Sequence, residues 1–252
     1  MKPGPAGAGV PSSGMRSGRR LRTKFPWYAE VALLAGGYLA FALVRAAVDR
    51  GEPAATDHAV GVQALERKLG IAVEYSLNHA MLAHPVAIHL TGYFYRLCLL
   101  AVPVTLIWLW VRRPARYARL RTVLVITTVI DLPLVRLFPE SPPRFAQDGI
   151  VDYIALHNII GGASLATPHS GVNLLAAMPS MHVAWTTWCA YATWSASDRR
   201  GPRGAWPVWL FPAGTAFVVL ATGHHYVLDI AAGVALVAIV ARLTSLIDNR
   251  AS

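Results

Sequence analysis

Charged residues are scarce in this sequence, and their scarcity argues against a soluble fold. Asp, Glu, Lys and Arg make up only 14% of the 252 residues, against about 25% in a typical soluble domain. Hydrophobic residues make up 55%, and the mean hydropathy is +0.43. Two cysteines, Cys98 and Cys189, are too few to imply a disulfide framework. No internal repeat is visible, and no linker reaches the length of about 50 residues that a soluble domain needs, so the sequence predicts one membrane domain.

Six apolar stretches are candidates for membrane-spanning helices, each of which needs about 20 mostly apolar residues. They predict an all-α fold, a polytopic membrane bundle of about six transmembrane helices. The stretches run from Trp27 to Val48, Val86 to Val111, Thr122 to Phe138, His182 to Ala196, Trp206 to Thr222, and Tyr226 to Ile247.

The basic residues predict how these spans are oriented in a cell membrane. The net charge of +10 sits in the linkers rather than on one folded surface, which argues against nucleic-acid binding. Basic residues cluster before the first span, between the second and third, and between the fourth and fifth, so the positive-inside rule places these segments in the cytoplasm. The segments 49–85, 139–181 and 223–225 then face outward, and both termini are cytoplasmic.

One domain boundary follows from composition. Residues 1–24 are rich in Gly, Pro, Ser and Arg, and we expect them to form a disordered cytoplasmic tail. Residues 25–252 are expected to form the membrane domain. Its long outer segment, 139–181, contains so many prolines and glycines that no long regular element is expected there.

The first outer segment contains the pattern of an amphipathic helix. The pattern has charged residues interspersed between apolar ones, and it leaves two arrangements open: the helix lies on the outer membrane surface, or it packs across the bundle as a lid. The apolar residues that recur at three- and four-residue intervals are Val62, Leu65, Leu69, Val73 and Leu77.

The last span opens with the sequence Gly-His-His-Tyr-Val-Leu-Asp at residues 223–229. In a helix, His225 and Asp229 would lie about 6 Å apart along the axis and on one side, so the carboxylate could reach the imidazole. That contact would fix the ring tautomer and leave the other nitrogen free to attack an electrophile. The alternative is that Asp229 snorkels at the end of its span and the histidines are interfacial.

A second polar group, Pro-Ser-Met-His at residues 179–182, opens the fourth span on the same predicted face. The predicted topology therefore brings His182 to the same side as His225. Ser180 and the backbone N–H groups at the start of the following helix could form an anion cradle. Alternatively, Ser180 only caps the helix and has no chemical role.

A third group, Pro-Pro-Arg at residues 142–144, follows the third span. A guanidinium presents a planar fork that suits phosphate oxygens. Arg144 is therefore the first candidate for holding a phosphate, and Arg136 is the second. The alternative for Arg136 is an ion pair with Asp131 inside the same span. All three polar groups emerge on one face once charge has set the topology, which favours a shared site.

At these residues the chain resembles the type 2 phosphatidate phosphatase superfamily of membrane lipid phosphatases, which is similar to vanadium haloperoxidases in its active-site pattern. The family motif Pro-Ser-x-His matches residues 179–182, and the family motif His-x-x-x-Asp matches residues 225–229. The resemblance implies that His225 is the nucleophile and forms a phosphohistidine, that Asp229 orients it, and that His182 protonates the leaving alcohol.

The same resemblance implies that Ser180 and Arg144 bind the phosphoryl oxygens, with Arg136 as a further candidate, and that no metal or other cofactor is needed. The sequence itself shows no clustered carboxylate site that would hold a metal. The sequence departs from the family's motifs at two places. The family has a lysine seven positions before an Arg-Pro pair, where this chain has Arg136 eight positions before Arg144, and the prolines come first. The family also has an arginine six positions before the nucleophile, where this chain has Val219.

The Pro-Pro-Arg form and the His-His-Tyr-x-x-Asp form look more like the branch that contains inositol phosphorylceramide synthases and their bacterial relatives. That branch transfers a phosphorylated head group between lipids. We therefore predict a membrane enzyme that acts on the phosphoryl head group of a lipid phosphate or phospholipid at the outer face, by hydrolysis in the first instance or by phosphoinositol transfer in the alternative. Two other classes remain open: a catalytically inactive scaffold, or a lipid transporter or binder whose pathway is lined by Asp131, Arg96 and Arg136.

Overall fold

The computed structural model describes residues 26–47, 52–165, 174–197 and 206–251, and the predicted cytoplasmic tail lies outside them. The described residues form helices and contain no β-strand, so the all-α prediction is confirmed for this part of the chain. The helices are α1 (Trp27–Ala47), α2 (Glu52–Leu69), α3 (Glu74–Leu82), α4 (Pro85–Leu97), α5 (Ala101–Arg112), α6 (Pro114–Leu137), α7 (Pro143–Ala146), α8 (Tyr153–Leu156), α9 (Gly162–Leu165), α10 (Met181–Ala196), α11 (Leu210–Ala221) and α12 (Val227–Ala251).

Three helical segments are long and apolar enough to cross a membrane: Trp27–Ala47, Pro85–Arg112 and Val227–Arg250. They correspond to the first, second and sixth predicted spans. The fifth appears as a shorter apolar helix, Trp206–Ala221. The third and fourth correspond to α6 and α10, which do not meet the same criteria of length and composition. Membrane association is therefore supported, and the number of six spans stays a prediction.

The second predicted span is not one uninterrupted α-helix. A short 3₁₀ segment, Cys98–Leu100, joins α4 to α5. Pro103 lies three residues into α5 and has no backbone N–H to donate to the carbonyl of Leu99. The missing hydrogen bond accounts for the change of helical type at this point.

The chain divides into two compact units. The first extends to Gly37 and, among the described residues, contains the first half of α1. The second begins at Tyr38 and contains the remaining helices, together with every candidate site residue that the sequence predicts.

The predicted amphipathic helix is wrong in its extent and in its orientation. The chain breaks at Gly70, whose φ of +69° lies in the left-handed region, so α2 and α3 are separate helices. Glu66 and Glu74 are fully buried, whereas Leu65 and Leu69 are about half exposed. Leu65, Leu69 and Val73 therefore face outward, whereas Val62 and the two acidic residues face inward. Periodicity alone cannot tell these faces apart where apolar side chains can face lipid.

The sequence left open whether this segment lies on the membrane surface or packs across the bundle. In the structure, both α2 and α3 pack against other helices. The helix α2 contacts α7 and α12, and α3 contacts α4 and α11. The buried carboxyl of Glu66 reaches the first turn of α12, where its Oε1 accepts a hydrogen bond from the amide of Leu228 at 2.7 Å. The segment thereby becomes part of the wall around the start of α12.

Helix α10 is the central element of the second unit and packs against α5, α6, α11 and α12. Its Trp188 is fully buried and donates from Nε1 to the carbonyl of Leu120 at 2.9 Å. The start of α10 approaches α12 closely at Gly233, where an added Cβ would lie 2.6 Å from the carbonyl oxygen of Ser180. Only a glycine permits this approach, which brings the polar ends of the two helices together.

Candidate active site

The centre of the candidate site is the pair formed by His225 and Asp229. His225 Nδ1 lies 3.2 Å from Asp229 Oδ2, and both side chains are buried. The helix α12 begins at Val227, so His225 lies just before it and not within it. The contact forms nonetheless, since the turn at Gly223, with a φ of +66°, directs the chain back over the first turn of the helix.

Asp229 has a second role as a capping residue. Its Oδ2 accepts a hydrogen bond from the amide of Tyr226 at 2.9 Å, as the third helical residue does in a capping box. The amide of Leu228 donates to Glu66, which takes the place of a capping side chain at Tyr226, the residue before the helix. Both carboxyls sit at the positive end of the helix dipole, so the carboxylate that faces His225 is held in place.

The residues at the start of α10 lie beside this pair. The ring centroids of His182 and His225 are 6.1 Å apart, so the structure brings the two predicted histidines together. Ser180 is fully buried, and its Oγ accepts from the amide of Val183 at 3.5 Å, in the position of an N-cap. Its own amide donates to the carbonyl of Asp229 at 3.0 Å. Ser180 therefore caps α10 and also links the two helices.

Arg144 lies against the turn that carries the histidines. Its amide donates to the carbonyl of Gly223 at 2.9 Å, and its Nε lies 3.1 Å from Asp152 Oδ2. Burial lowers the pKa of the Arg144 guanidinium, and Tyr95 and Asp152 oppose that shift. An arginine stays charged in such surroundings, so Arg144 is a fixed cation next to the candidate nucleophile.

Arg136 is placed differently. It is exposed at the end of α6, and no hydrogen bond or ion pair joins it to another candidate residue in the described part of the chain. The alternative predicted for Arg136, an ion pair with Asp131, is wrong, because Asp131 is fully buried and pairs with Arg45. Five positions along a helix correspond to about 140° around it, so Asp131 and Arg136 face different sides.

Sequence reasoning missed one aromatic residue in the site, Tyr95. The ring of Tyr95, in α4, has its centroid 4.4 Å from that of His182 and 4.2 Å from that of His224. Burial lowers the pKa of His224 well below its usual value, and Arg144 adds to that effect. A tyrosine inside an apolar span carries no local signal that could have singled it out.

Four acidic residues come together around the start of α12, although the sequence shows no such cluster. They act electrostatically on one another and are Glu66, Glu74, Glu140 and Asp229. Burial, reinforced by the negative charge of Asp229, raises the pKa of Glu140. Burial also raises the pKa of Glu66 to about 7. Among the described residues, no group of three or more His, Cys, Asp or Glu is arranged to hold a metal ion.

Comparison with known families gives one match, which covers well over half of the chain. A profile of the PAP2 superfamily matches residues 60–243. The chain belongs to the PAP2 superfamily. No curated protein and no solved structure matches it.

The matched region begins in α2 and includes every residue of the candidate site. Membership of the PAP2 superfamily confirms the resemblance that the two short motifs indicated, at the level of the superfamily. It supports an enzyme with phosphatase-type phosphoryl chemistry that acts on a phosphorylated lipid or small molecule. The resemblance to the inositol phosphorylceramide synthase branch belongs to the proposal below.

Proposed function

We propose that this protein is a lipid phosphatase of the PAP2 superfamily that works through a phosphohistidine on His225. The observation that carries the proposal is the contact between His225 Nδ1 and Asp229, with the ring centroid of His182 6.1 Å from that of His225. Because Nδ1 faces the carboxylate, Nε2 is the nitrogen left to attack phosphorus. Asp229 also stabilises the positive charge that develops on the ring.

The first half of the reaction transfers the phosphoryl group to the protein. Arg144 holds the phosphoryl oxygens with its guanidinium, and Ser180 lies at the helix start that faces them. The bond between Nε2 of His225 and phosphorus forms as the bond from phosphorus to the lipid oxygen breaks. The leaving oxygen takes a proton from His182, which acts as the general acid.

The second half returns the protein to its starting state. Water attacks the phosphorus and gives a proton to His182, which now acts as the general base. The phosphorus–nitrogen bond breaks, and its electron pair returns to Nε2 of His225. Phosphate then leaves, and no metal ion is required at any step of this scheme.

The second candidate function is transfer of a phosphoinositol or similar head group to another lipid alcohol. The Pro-Pro-Arg sequence that ends at Arg144, and the His-His-Tyr-x-x-Asp sequence that ends at Asp229, favour this branch of the family. The same residues would serve, with an alcohol in place of water. We favour hydrolysis because it requires no second lipid-binding site, whereas transfer also requires that water be kept from the intermediate.

We place the reaction at the outer face of a cell membrane, with six spans and both termini in the cytoplasm. The charge pattern of the linkers supports this orientation, and three apolar helices support membrane association. Two of the three residues that suggested the transporter alternative give it no support, because Asp131 is buried against Arg45 and Arg136 is exposed.

The function is tested by purifying the protein in detergent with EDTA and measuring phosphate release from phosphatidate, polyprenyl diphosphate and phosphatidylinositol phosphates. A second arm supplies labelled phosphatidylinositol with alcohol acceptors and detects head-group transfer. We expect turnover in the first arm that His225→Ala abolishes and EDTA leaves intact. Turnover only in the second arm would establish the transferase, and no turnover in either arm would favour a transporter or an inactive scaffold.

A further inference from the structure

Arg96 lies at the end of α4, next to the tyrosine that packs on the site. Its guanidinium carbon is 5.9 Å from the ring centroid of Tyr95, and that ring stacks on His182 with centroids 4.4 Å apart. Arg96 therefore sits on the rim of the proposed active site. No motif of the family includes this position.

The guanidinium of Arg96 lacks the acidic partner that Arg45 and Arg144 have. Its Nε is buried without a hydrogen-bond partner, and no carboxylate of the described residues lies within ion-pair distance of it. Arg45 pairs with Asp131, and Arg144 pairs with Asp152. A partly buried cation without a counter-charge is costly, above all in a segment apolar enough to cross a membrane. An anion from outside the chain would remove that cost.

The charge of Arg144 is already compensated within the protein. Its Nε faces Asp152 at 3.1 Å, so it can orient phosphoryl oxygens but adds little net positive charge. Arg96 and Arg144 lie close enough to repel each other electrostatically, and both act on His182. Among the described residues around the two catalytic histidines, Arg96 is thus the cation that an incoming phosphate can neutralise.

We infer that Arg96 is a second phosphate-binding arginine, which compensates the charge of the phosphoryl group while Arg144 orients it. In this arrangement α4 supplies the positive charge that the family usually places six residues before the nucleophile, where this chain has Val219. The inference rests on the proposed function, and it names an anionic phosphoryl group as the ligand of this guanidinium.

The test compares Arg96→Gln and Arg96→Lys with the unaltered protein, using inorganic phosphate as the probe. Hydrolysis of a short-chain lipid phosphate gives KM and kcat, and competition gives the inhibition constant of phosphate. We expect Arg96→Gln to raise both KM and the inhibition constant about tenfold or more, the effect of losing one charge-assisted hydrogen bond. The lysine variant keeps the charge and should recover part of the loss.

Two controls separate binding from folding. Arg112→Gln removes an exposed arginine at the end of α5 and should leave KM and phosphate inhibition unchanged. Phosphate should also raise the thermal midpoint of the unaltered protein in detergent by mass action, and this rise should be absent in Arg96→Gln.

The possible outcomes distinguish the inference from the function on which it rests. An Arg96→Gln variant with unchanged KM, unchanged phosphate inhibition and an intact thermal response would overturn the inference alone, provided that turnover still depends on His225. If the unaltered protein neither hydrolyses a lipid phosphate nor responds to inorganic phosphate, the proposed function fails and the inference fails with it.

Discussion

Ser180 and Asp229 are joined through their backbones, with the amide of Ser180 donating to the carbonyl of Asp229 at 3.0 Å. This bond ties the residue before α10 to the first turn of α12. His182 lies two residues beyond one end of the bond, and His225 lies four residues before the other. The spacing of the two histidines therefore depends on how closely these helix ends approach.

The first prediction concerns the contact that allows this approach. Gly233→Ala would place a Cβ about 2.6 Å from the carbonyl oxygen of Ser180, so α10 and α12 must separate. We expect a loss of about 1–3 kcal/mol of stability and a large loss of activity, because His182 moves away from His225. Thermal midpoints and turnover in detergent measure both effects.

The matched control for that substitution is Gly61→Ala in α2. A Cβ at Gly61 would meet nothing within 4 Å, and alanine is the better helix former by about 0.5–1 kcal/mol. This variant should be active and slightly more stable. If Gly233→Ala behaved in the same way, the close approach of the two helices would not matter for the reaction.

The second prediction concerns the charge of Asp229. Asp229→Asn keeps an oxygen that can cap the amide of Tyr226, but it removes the negative charge beside His225. We expect a fold that is largely intact and a loss of kcat of about 10³-fold or more. Asp248→Asn is the control, because Asp248 is half exposed and pairs with Arg119 at 3.4 Å on the surface. Equal activity of the two variants would remove Asp229 from the mechanism.

The contact between His225 and Asp229 could be predicted from the sequence because it depends on local spacing. Four residues separate the two side chains, and the start of a helix closes that distance almost as well as its interior does. The approach of His182 to His225 was predicted from topology, since one pair of helices separates them in the chain. The capping alternative for Ser180 could be stated from sequence for the same local reason.

The surroundings of that pair could not be predicted, because they depend on distant parts of the chain. Glu66 is 162 positions from Leu228, and it lies on the face of α2 that a soluble protein would expose to water. Tyr95 belongs to an apolar stretch in which aromatic residues are ordinary. Asp131 pairs with Arg45, which lies 86 positions away, rather than with the nearby Arg136.

The third prediction is a pH dependence of stability that comes from Glu66. Burial, opposed by the Leu228 amide and reinforced by Glu74 and Asp229, raises the pKa of Glu66 from 4.5 to about 7. The folded protein then holds a proton that the unfolded chain releases. The stabilisation is complete below about pH 4.5 and is lost as the pH rises through about 7.

Glu66→Gln tests this directly, because glutamine accepts the same hydrogen bond and does not ionise. Between about pH 5 and about pH 8, the thermal midpoint of the unaltered protein should fall more than that of the glutamine variant. Glu66→Leu loses the cap and should cost about 1–2 kcal/mol at every pH. Identical pH profiles for the unaltered protein and Glu66→Gln would show that Glu66 does not titrate in this range.

The fourth prediction separates the two arginines that sequence reasoning considered first. Arg144→Lys keeps a charge but loses the planar fork and the contact with Asp152, so we expect kcat/KM to fall about 10–100-fold. Arg136→Gln removes an exposed side chain and should change kcat/KM by no more than about twofold. The reverse order of effects would mean that Arg136, and not Arg144, holds the phosphate.

The role of His225 as the residue that carries the phosphoryl group is tested by trapping that group on the protein. The protein is mixed with a lipid phosphate labelled in its phosphoryl group and quenched in alkali, because phosphohistidine is labile in acid. Peptide mass spectrometry then locates the label. We expect the phosphoryl group on His225 in the unaltered protein and no label in His225→Asn. Rapid turnover without label on His225, or label on another residue in both proteins, would show that His225 does not carry the phosphoryl group.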